Sequence, residues 1–181
     1  MKTHKLRAFI FMALCCDLGL FAKKLIAPAA NFITEFLHIP GGIATSFSLM
    51  FLIVASSIIR FFGCATLMAV VQSILALCFG MTGSMGILAP IGYIIPGIII
   101  DVILFLFRKK EKDISLAIMI ASILASVSAC LTANMIVFRL TGIILLLYVF
   151  VSATSGSICA ILANELVRRL KPLILSPKEL S

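Results

Sequence analysis

The stretch "AIMIASILASVSACLTAN" (residues 117–134) keeps one seam of a predicted helix small, with alanine at every fourth position. A soluble helix fills its buried seam with Leu or Ile, because burying large apolar side chains drives folding. In a bilayer, helices gain little by hiding Leu from lipid tails, so they associate through close packing of small residues. The alanine seam therefore predicts a membrane helix with a very close neighbour. That neighbour is either another helix of the same chain or the surface of a second protein.

The composition of the whole chain also predicts an integral membrane protein. Hydrophobic residues make up 62% of the 181 residues and charged residues 12%, whereas soluble domains are about half apolar and about a quarter charged. The net charge of +8 is spread over short clusters between apolar runs, which is a topology signal rather than a nucleic-acid surface. We expect one transmembrane domain over residues 1–181, without a nucleotide-binding domain of its own.

Six apolar runs have about the length that a spanning helix needs, and they predict an all-α protein with six transmembrane helices. The runs cover residues 6–22, 42–59, 63–79, 87–107, 114–138 and 142–167. A cytoplasmic N-terminus leaves only Lys23, Lys24 and Arg139 of the 15 basic residues outside, so the positive-inside rule places both termini in the cytoplasm. Residues 23–41 then form a long outer segment, and residues 80–88 form a glycine-rich outer loop.

The sequence offers no constellation for catalysis or metal binding. Only two histidines occur, and none of the usual hydrolase or zinc motifs is present. The six cysteines lie in apolar segments without a CxxC pair, as expected of small core residues. We therefore expect neither enzymatic activity nor a metal site nor a cofactor.

Polar residues inside the predicted spans cluster towards the outer side. Such residues are costly in lipid and usually face a bundle interior or a cavity. Together with the outer segment they predict one outward pocket, although an interhelical hydrogen bond also explains each residue singly. Asp101 is different, because it lies in the inner half of its span within two turns of Arg108, and we expect it to be a paired structural carboxylate.

The chain resembles the substrate-binding S components of energy-coupling-factor (ECF) vitamin transporters along nearly its whole length. The local features are "FLHIPGGIATSFSLMFL" entering span two, "GCATLMAVVQSILALCFG" as span three and "GSMGILAPIGYIIPGIIIDVILFL" as loop and span four. The resemblance implies a six-helix cup in the plasma membrane of a prokaryote. The cup captures a vitamin from outside and docks on a transmembrane coupling subunit driven by two ATPase subunits.

The resemblance also implies where the sites lie. Outer loops and outer helix ends form the substrate site in this family, which maps onto Asn31, Glu35, His38, Gln72, Thr82, Ser84, Tyr93, Asn134, Arg139 and Tyr148. Family members dock through an Ala-x-x-x-Ala face on helix one. Helix one here reads "AFIFMALCCDLG" without a strict repeat, so the expected docking residues are Ala8 and Ala13 of that helix and Ala117, Ala121, Ala125 and Ala129 of helix five.

The substrate and the function class keep open alternatives. The absence of tryptophan counts mildly against thiamine, while cobalamin, a thiamine precursor and other vitamins stay open. The alternative function is a stand-alone small secondary transporter or channel. A membrane enzyme or an assembly factor without a ligand is a third possibility.

Overall fold

The computed structural model describes residues 2–36, 43–59, 61–81, 83–109 and 114–174, and no strand occurs in these ranges. Two short segments adjoin longer helices: a 3-10 helix, Gly83–Leu88, and a π-helical turn, Asn134–Phe138. The α-helices of the described ranges are α1 (Lys2–Phe36), α2 (Ile43–Ile58), α3 (Cys64–Cys78), α4 (Ala89–Lys109), α5 (Ile114–Ala133) and α6 (Ile143–Ile174).

Three helical stretches are long and apolar enough to cross a membrane: Met85–Arg108, Ile114–Phe138 and Ile143–Pro172. Two further apolar helices are shorter, Ala44–Ile58 and Cys64–Cys78. Large apolar side chains face outward on the helices around the bundle, among them Phe9, Ile74, Phe105, Leu124 and Leu146. Soluble proteins rarely expose contiguous apolar surface on this scale. Of the six predicted spans, three are confirmed as helices long and apolar enough to cross a membrane.

Helix α2 is the centre of the bundle. It contacts α1, α3, α4, α5 and α6, and none of its described side chains is exposed. Leu52, Ile53, Val54 and Ala55 are buried almost completely. Around α2 the other helices follow in the order α1, α3, α4, α5 and α6, each contacting the next.

The first helix is longer than the sequence predicts. The predicted span ends at residue 22, but α1 continues to Phe36, so residues 23–36 of the predicted outer segment are helical. Pro28 lies inside the helix on an exposed side. A proline there leaves the carbonyl of Lys24 without its helical partner, and an exposed side is where this costs least. Residues 37–42 lie outside the described residues.

Two side chains of α4 form hydrogen bonds on either side of the turn between α2 and α3. The carboxylate of Asp101 is 5% exposed. It accepts hydrogen bonds from the backbone N–H of Ala65 (3.0 Å), the backbone N–H of Thr66 (2.8 Å) and the Thr66 hydroxyl (2.6 Å). The guanidinium of Arg108 donates to the carbonyl of Ser56, near the end of α2, at 2.5 Å. Asp101 is therefore structural, as expected, but the described residues that engage it are at the start of α3.

The alanine seam is buried within the bundle. Ala117, Ala121 and Ala125 are at most 1% exposed and Ala129 is 8% exposed, and α5 packs against α2, α4 and α6. On the α6 side, the Ser152 hydroxyl donates to the Ser126 carbonyl at 2.7 Å. The neighbours that come close to α5 are therefore helices of the same chain.

Gly156 on α6 gives a direct test of this close packing. A Cβ at this position would lie 2.8 Å from Ser126 Oγ and 3.0 Å from the Ser122 carbonyl oxygen. In an open helix interior, Gly→Ala stabilises by roughly 0.5–1 kcal/mol, but overpacking costs about 1–3 kcal/mol. We expect Gly156→Ala to lower the melting temperature in detergent, followed by circular dichroism. The control is Thr154→Ala at an exposed site of the same helix. A higher melting temperature in Gly156→Ala would contradict the close packing of α6 against α5 at this position.

Asp101→Asn tests the turn between α2 and α3. An amide oxygen can replace only part of the carboxylate, and the amide N–H groups would face the N–H donors of α3. We expect a loss of about 1–3 kcal/mol in the free energy of unfolding, measured by denaturant titration in detergent. Asp17→Asn is the matched control, because Asp17 is exposed and has no hydrogen bond or ion pair among the described residues. Equal effects of the two variants would rule out a special role for Asp101.

Candidate functional site

A lysine reaches into the bundle between α1 and α4. The Lys23 ammonium donates to the Tyr93 hydroxyl at 2.5 Å and lies 4.7 Å from the centre of its ring. Lys23 is half-buried and Tyr93 is buried. In the extended α1, Lys23 follows Cys16, Gly19 and Leu20 along the buried face at helical spacing. Its position therefore results from the continuation of α1 beyond residue 22.

Gln72 lies deeper in the bundle and joins three helices. Its amide oxygen accepts from the Ser48 hydroxyl at 3.2 Å, and its amide nitrogen donates to the Cys16 carbonyl at 3.2 Å. The side chain is fully buried. Gly19 makes room for it, since a Cβ there would lie 2.5 Å from the amide nitrogen. Gln72 thus forms the interhelical hydrogen bonds that were the alternative to a pocket role.

Asn134 closes the turn between α5 and α6. Its amide oxygen accepts from the backbone N–H of Leu140 at 2.8 Å, and its amide nitrogen donates to the Leu140 carbonyl at 3.3 Å. Arg139 between them is exposed and has a left-handed backbone, with φ of 49°. The oxygen and the nitrogen of the Asn134 amide therefore both form hydrogen bonds within the turn.

Tyr148 lies beneath the same turn and is 2% exposed. Its ring meets Phe138 edge to face, with centroids 6.2 Å apart. It packs in a small cluster with Cys130 and partly buried apolar residues. In this conformation the phenol is a core group rather than part of an open surface.

These residues share one end of the bundle but form separate clusters. The 3-10 helix contacts the π-helical turn, so the α3–α4 and α5–α6 connections meet at this end. Tyr93 with Lys23 forms one cluster there, and Asn134, Arg139 and Tyr148 belong to the other. Gln72 lies further in, at the level of the middle of α3.

The remaining predicted substrate residues lie on α1, in the 3-10 helix or outside the described residues. Asn31 is exposed on α1, Glu35 lies in the last turn of α1 and Ser84 lies in the 3-10 helix. His38 and Thr82 fall outside the described residues.

The predicted docking residues divide between two kinds of environment. Ala117, Ala121, Ala125 and Ala129 are buried against the chain's own helices, so they offer no surface to a second protein in this conformation. Ala13 is exposed and Ala8 is half-buried on α1. The exposed face of α1 is therefore the surface that stays open at the predicted docking helix.

Asp17 lies on this exposed face of α1, one turn after Ala13. The preceding residue, Cys16, bonds to Gln72 in the middle of α3, so Asp17 is at about half the height of the bundle. Its neighbours Leu14, Leu18 and Phe21 are exposed apolar side chains. The fold thus places one carboxylate in the middle of an exposed apolar face of α1.

In the described ranges, no group of three His, Cys, Asp or Glu side chains is arranged to hold a metal ion. The six cysteines are free, and all except Cys78 are buried.

Comparison with known protein families, with curated proteins and with solved structures finds no match for this chain. The assignment of a function therefore depends on the residues and their geometry.

The role of Asn134 as the closure of the turn can be tested by hydrogen exchange. Asn134→Ala removes both hydrogen bonds to Leu140, each worth roughly 1 kcal/mol. We expect the Leu140 amide to exchange roughly thirtyfold faster, measured by mass spectrometry of the peptide that spans the turn.

Asn164→Ala is the control, since Asn164 bonds to Ser115 far from this turn, near the start of α5. Unchanged exchange at Leu140 in Asn134→Ala would show that Asn134 is not needed to close the turn.

Proposed function

We propose that this chain is the substrate-binding membrane subunit of an ECF-type importer in the plasma membrane of a prokaryote. All six helices cross the bilayer, with both termini in the cytoplasm. The subunit captures a vitamin or a related micronutrient from outside. It delivers the substrate by docking on a transmembrane coupling subunit that two ATPase subunits drive.

The observation that carries this proposal is the Lys23–Tyr93 contact. A lysine on a membrane helix normally extends towards the interface, where its ammonium is hydrated. Lys23 instead turns inward and places its charge beside a buried tyrosine. A polar pair of this kind, at the end of the bundle where two connections meet, is suited to orient a small solute in an otherwise apolar cup.

The charge of Lys23 also suggests which part of the substrate it contacts. Ammonium groups form their strongest hydrogen bonds with carboxylates and phosphates. Tyr93 adds an aromatic face and a hydroxyl at the same place. The complementary substrate carries an anionic group next to a ring or an apolar body.

The distribution of basic residues supports the proposed orientation. Arg108 lies at the end of α4 next to the α2–α3 turn. Asn164 bonds to Ser115 near the start of α5, so the last turns of α6, with Arg168, Arg169 and Lys171, lie at the opposite end from the α5–α6 turn. Basic residues gather on the cytoplasmic side of membrane proteins, which supports our proposal that the Lys23–Tyr93 end is the outer end.

The exposed face of α1 is the proposed docking surface for the coupling subunit. It combines Ala13, which permits close approach, with Asp17 at mid-height. A cationic side chain on the coupling subunit would complement Asp17. This assignment replaces helix five, whose alanines are buried within the bundle.

The first experiment is mass spectrometry of small molecules that stay bound during gentle purification, followed by titration of the emptied protein with each molecule found. We expect one tightly bound molecule per chain. Lys23→Gln should weaken its binding about tenfold or more, because a hydrogen bond to a charged group contributes roughly 1.5–3 kcal/mol.

Lys24→Gln is the matched control, because Lys24 is the next residue but is exposed. The dissociation constant of the bound molecule for this variant should stay within about twofold of that for the unaltered protein. Equal effects of the two substitutions would remove Lys23 from the site. A protein that retains no molecule and ignores a panel of vitamins would overturn the importer proposal and favour a stand-alone transporter or channel.

A further inference from the structure

The last turns of α6 extend past the start of α5, at the end of the bundle opposite the Lys23–Tyr93 pair. Asn164 bonds to Ser115 near the start of α5. Helix α6 then continues to Ile174, which is about 15 Å further along its axis at 1.5 Å per residue. These last turns therefore lie beyond the level at which the neighbouring helix begins.

The inward face of these turns is fixed by packing. Val167 is buried, and Leu166 and Leu170 pack against the apolar core. The end of α6 is therefore a continuation of the bundle, and the side chains on its outward face start from fixed backbone positions.

The outward face of α6 changes from apolar to charged at one level. Ile158, Ile161 and Leu162 are exposed apolar side chains, and Glu165 is the first charged residue after them. In a bilayer such a boundary marks the edge of the hydrocarbon core, and the headgroup layer continues for roughly 5–7 Å beyond it. Arg168 follows Leu162 by about 9 Å along the axis. Helical side chains tilt towards the N-terminus of their helix, which here is back towards the bilayer.

The charged face has more cations than carboxylates. Glu165 accepts a hydrogen bond from Arg169 at 2.8 Å, and the charge of Arg168 also acts on it. Arg168 is exposed and Lys171 is half-buried, and neither forms a hydrogen bond or an ion pair among the described residues. Because they are three positions apart, they are neighbours on the helix surface, where like charges repel. An anion placed between them would remove that repulsion.

We propose that Arg168 and Lys171 bind the phosphate of an anionic phospholipid. The guanidinium offers a planar fork that matches phosphate, and the ammonium adds a second positive charge. The acyl chains of the lipid lie along the exposed apolar side chains that precede these cations on α6, Ile158, Ile161 and Leu162. This apolar surface next to the cations favours a lipid over a small soluble anion. The proposal depends on α6 crossing a membrane and not on the transport function.

The test is native mass spectrometry of the purified protein titrated with phosphatidylglycerol or with phosphatidylcholine of the same acyl chains. We expect the tightest site to prefer phosphatidylglycerol. Arg168→Gln and Lys171→Gln should each weaken its binding about fivefold, because each removes one of the basic residues that attract an anionic lipid. Arg168→Lys should retain most of the affinity. The matched control is Lys24→Gln, which removes an exposed lysine at the opposite end of the bundle and should change this binding by less than about twofold.

Glu165→Gln should change the binding in the opposite direction. The substitution removes a negative charge and leaves Arg169 without its carboxylate partner, so a third cation becomes available to the phosphate. An exposed ion pair contributes little to stability, and the fold should tolerate the change. We expect phosphatidylglycerol to bind more tightly to this variant than to the unaltered protein, a result that partial unfolding cannot produce.

Three results would overturn the proposal. The first is equal binding of the two lipids. The second is equal loss in the Arg168→Gln and Lys24→Gln variants, which would indicate a diffuse attraction to surface charge. The third is complete displacement of the lipid by millimolar glycerol phosphate, which would identify a site for small soluble anions.

Discussion

The buried carboxylate of Asp101 is the constraint on which the arrangement of the bundle depends. A charged group in an apolar interior is costly unless its oxygens are fully engaged, and α3 supplies three donors from its first residues. Arg108 follows two turns later, about 10 Å along α4, and holds the end of α2. Because α2 contacts all the other helices, fixing the α2–α3 turn also fixes the centre around which they pack.

Hydropathy alone was enough to predict that the protein is all-α and to predict the approximate bounds of α2 to α5. Helices α2, α3, α4 and α5 begin and end within a few residues of the predicted spans. The prediction ends the first span at residue 22 and makes residues 23–41 an outer segment, whereas α1 continues to Phe36. Charged residues do not by themselves end a helix, and Pro28 removes only one hydrogen bond from the α1 ladder. Periodicity carried past residue 22 would have placed Lys23 on the buried face.

The polar side chains were harder to predict, because their partners come from other helices. Gln72 and Asn134 are among the predicted substrate residues, and each is hydrogen-bonded within the protein. Asp101 was expected to be structural, and its observed partners are backbone N–H groups that no sequence pattern marks. Glu165 and Arg169, four residues apart on one helix, form an ion pair at 2.8 Å. Local pairs follow from sequence spacing, whereas long-range partners follow from packing.

Most of the buried polar groups already have hydrogen-bond partners inside the chain. They therefore offer few free donors or acceptors to other molecules. Asp101, Gln72 and Asn134 bond within the chain, and the small seam of α5 is filled by neighbouring helices. On α1, Asp17 faces outward at about half the height of the bundle, and Lys23 faces inward near the end where it contacts Tyr93. Helix α1 therefore presents one charge to whatever surrounds the bundle and another to its interior. A ligand and a partner protein that used these two charges would act on opposite sides of the same helix, so binding of one would be positioned to affect the other.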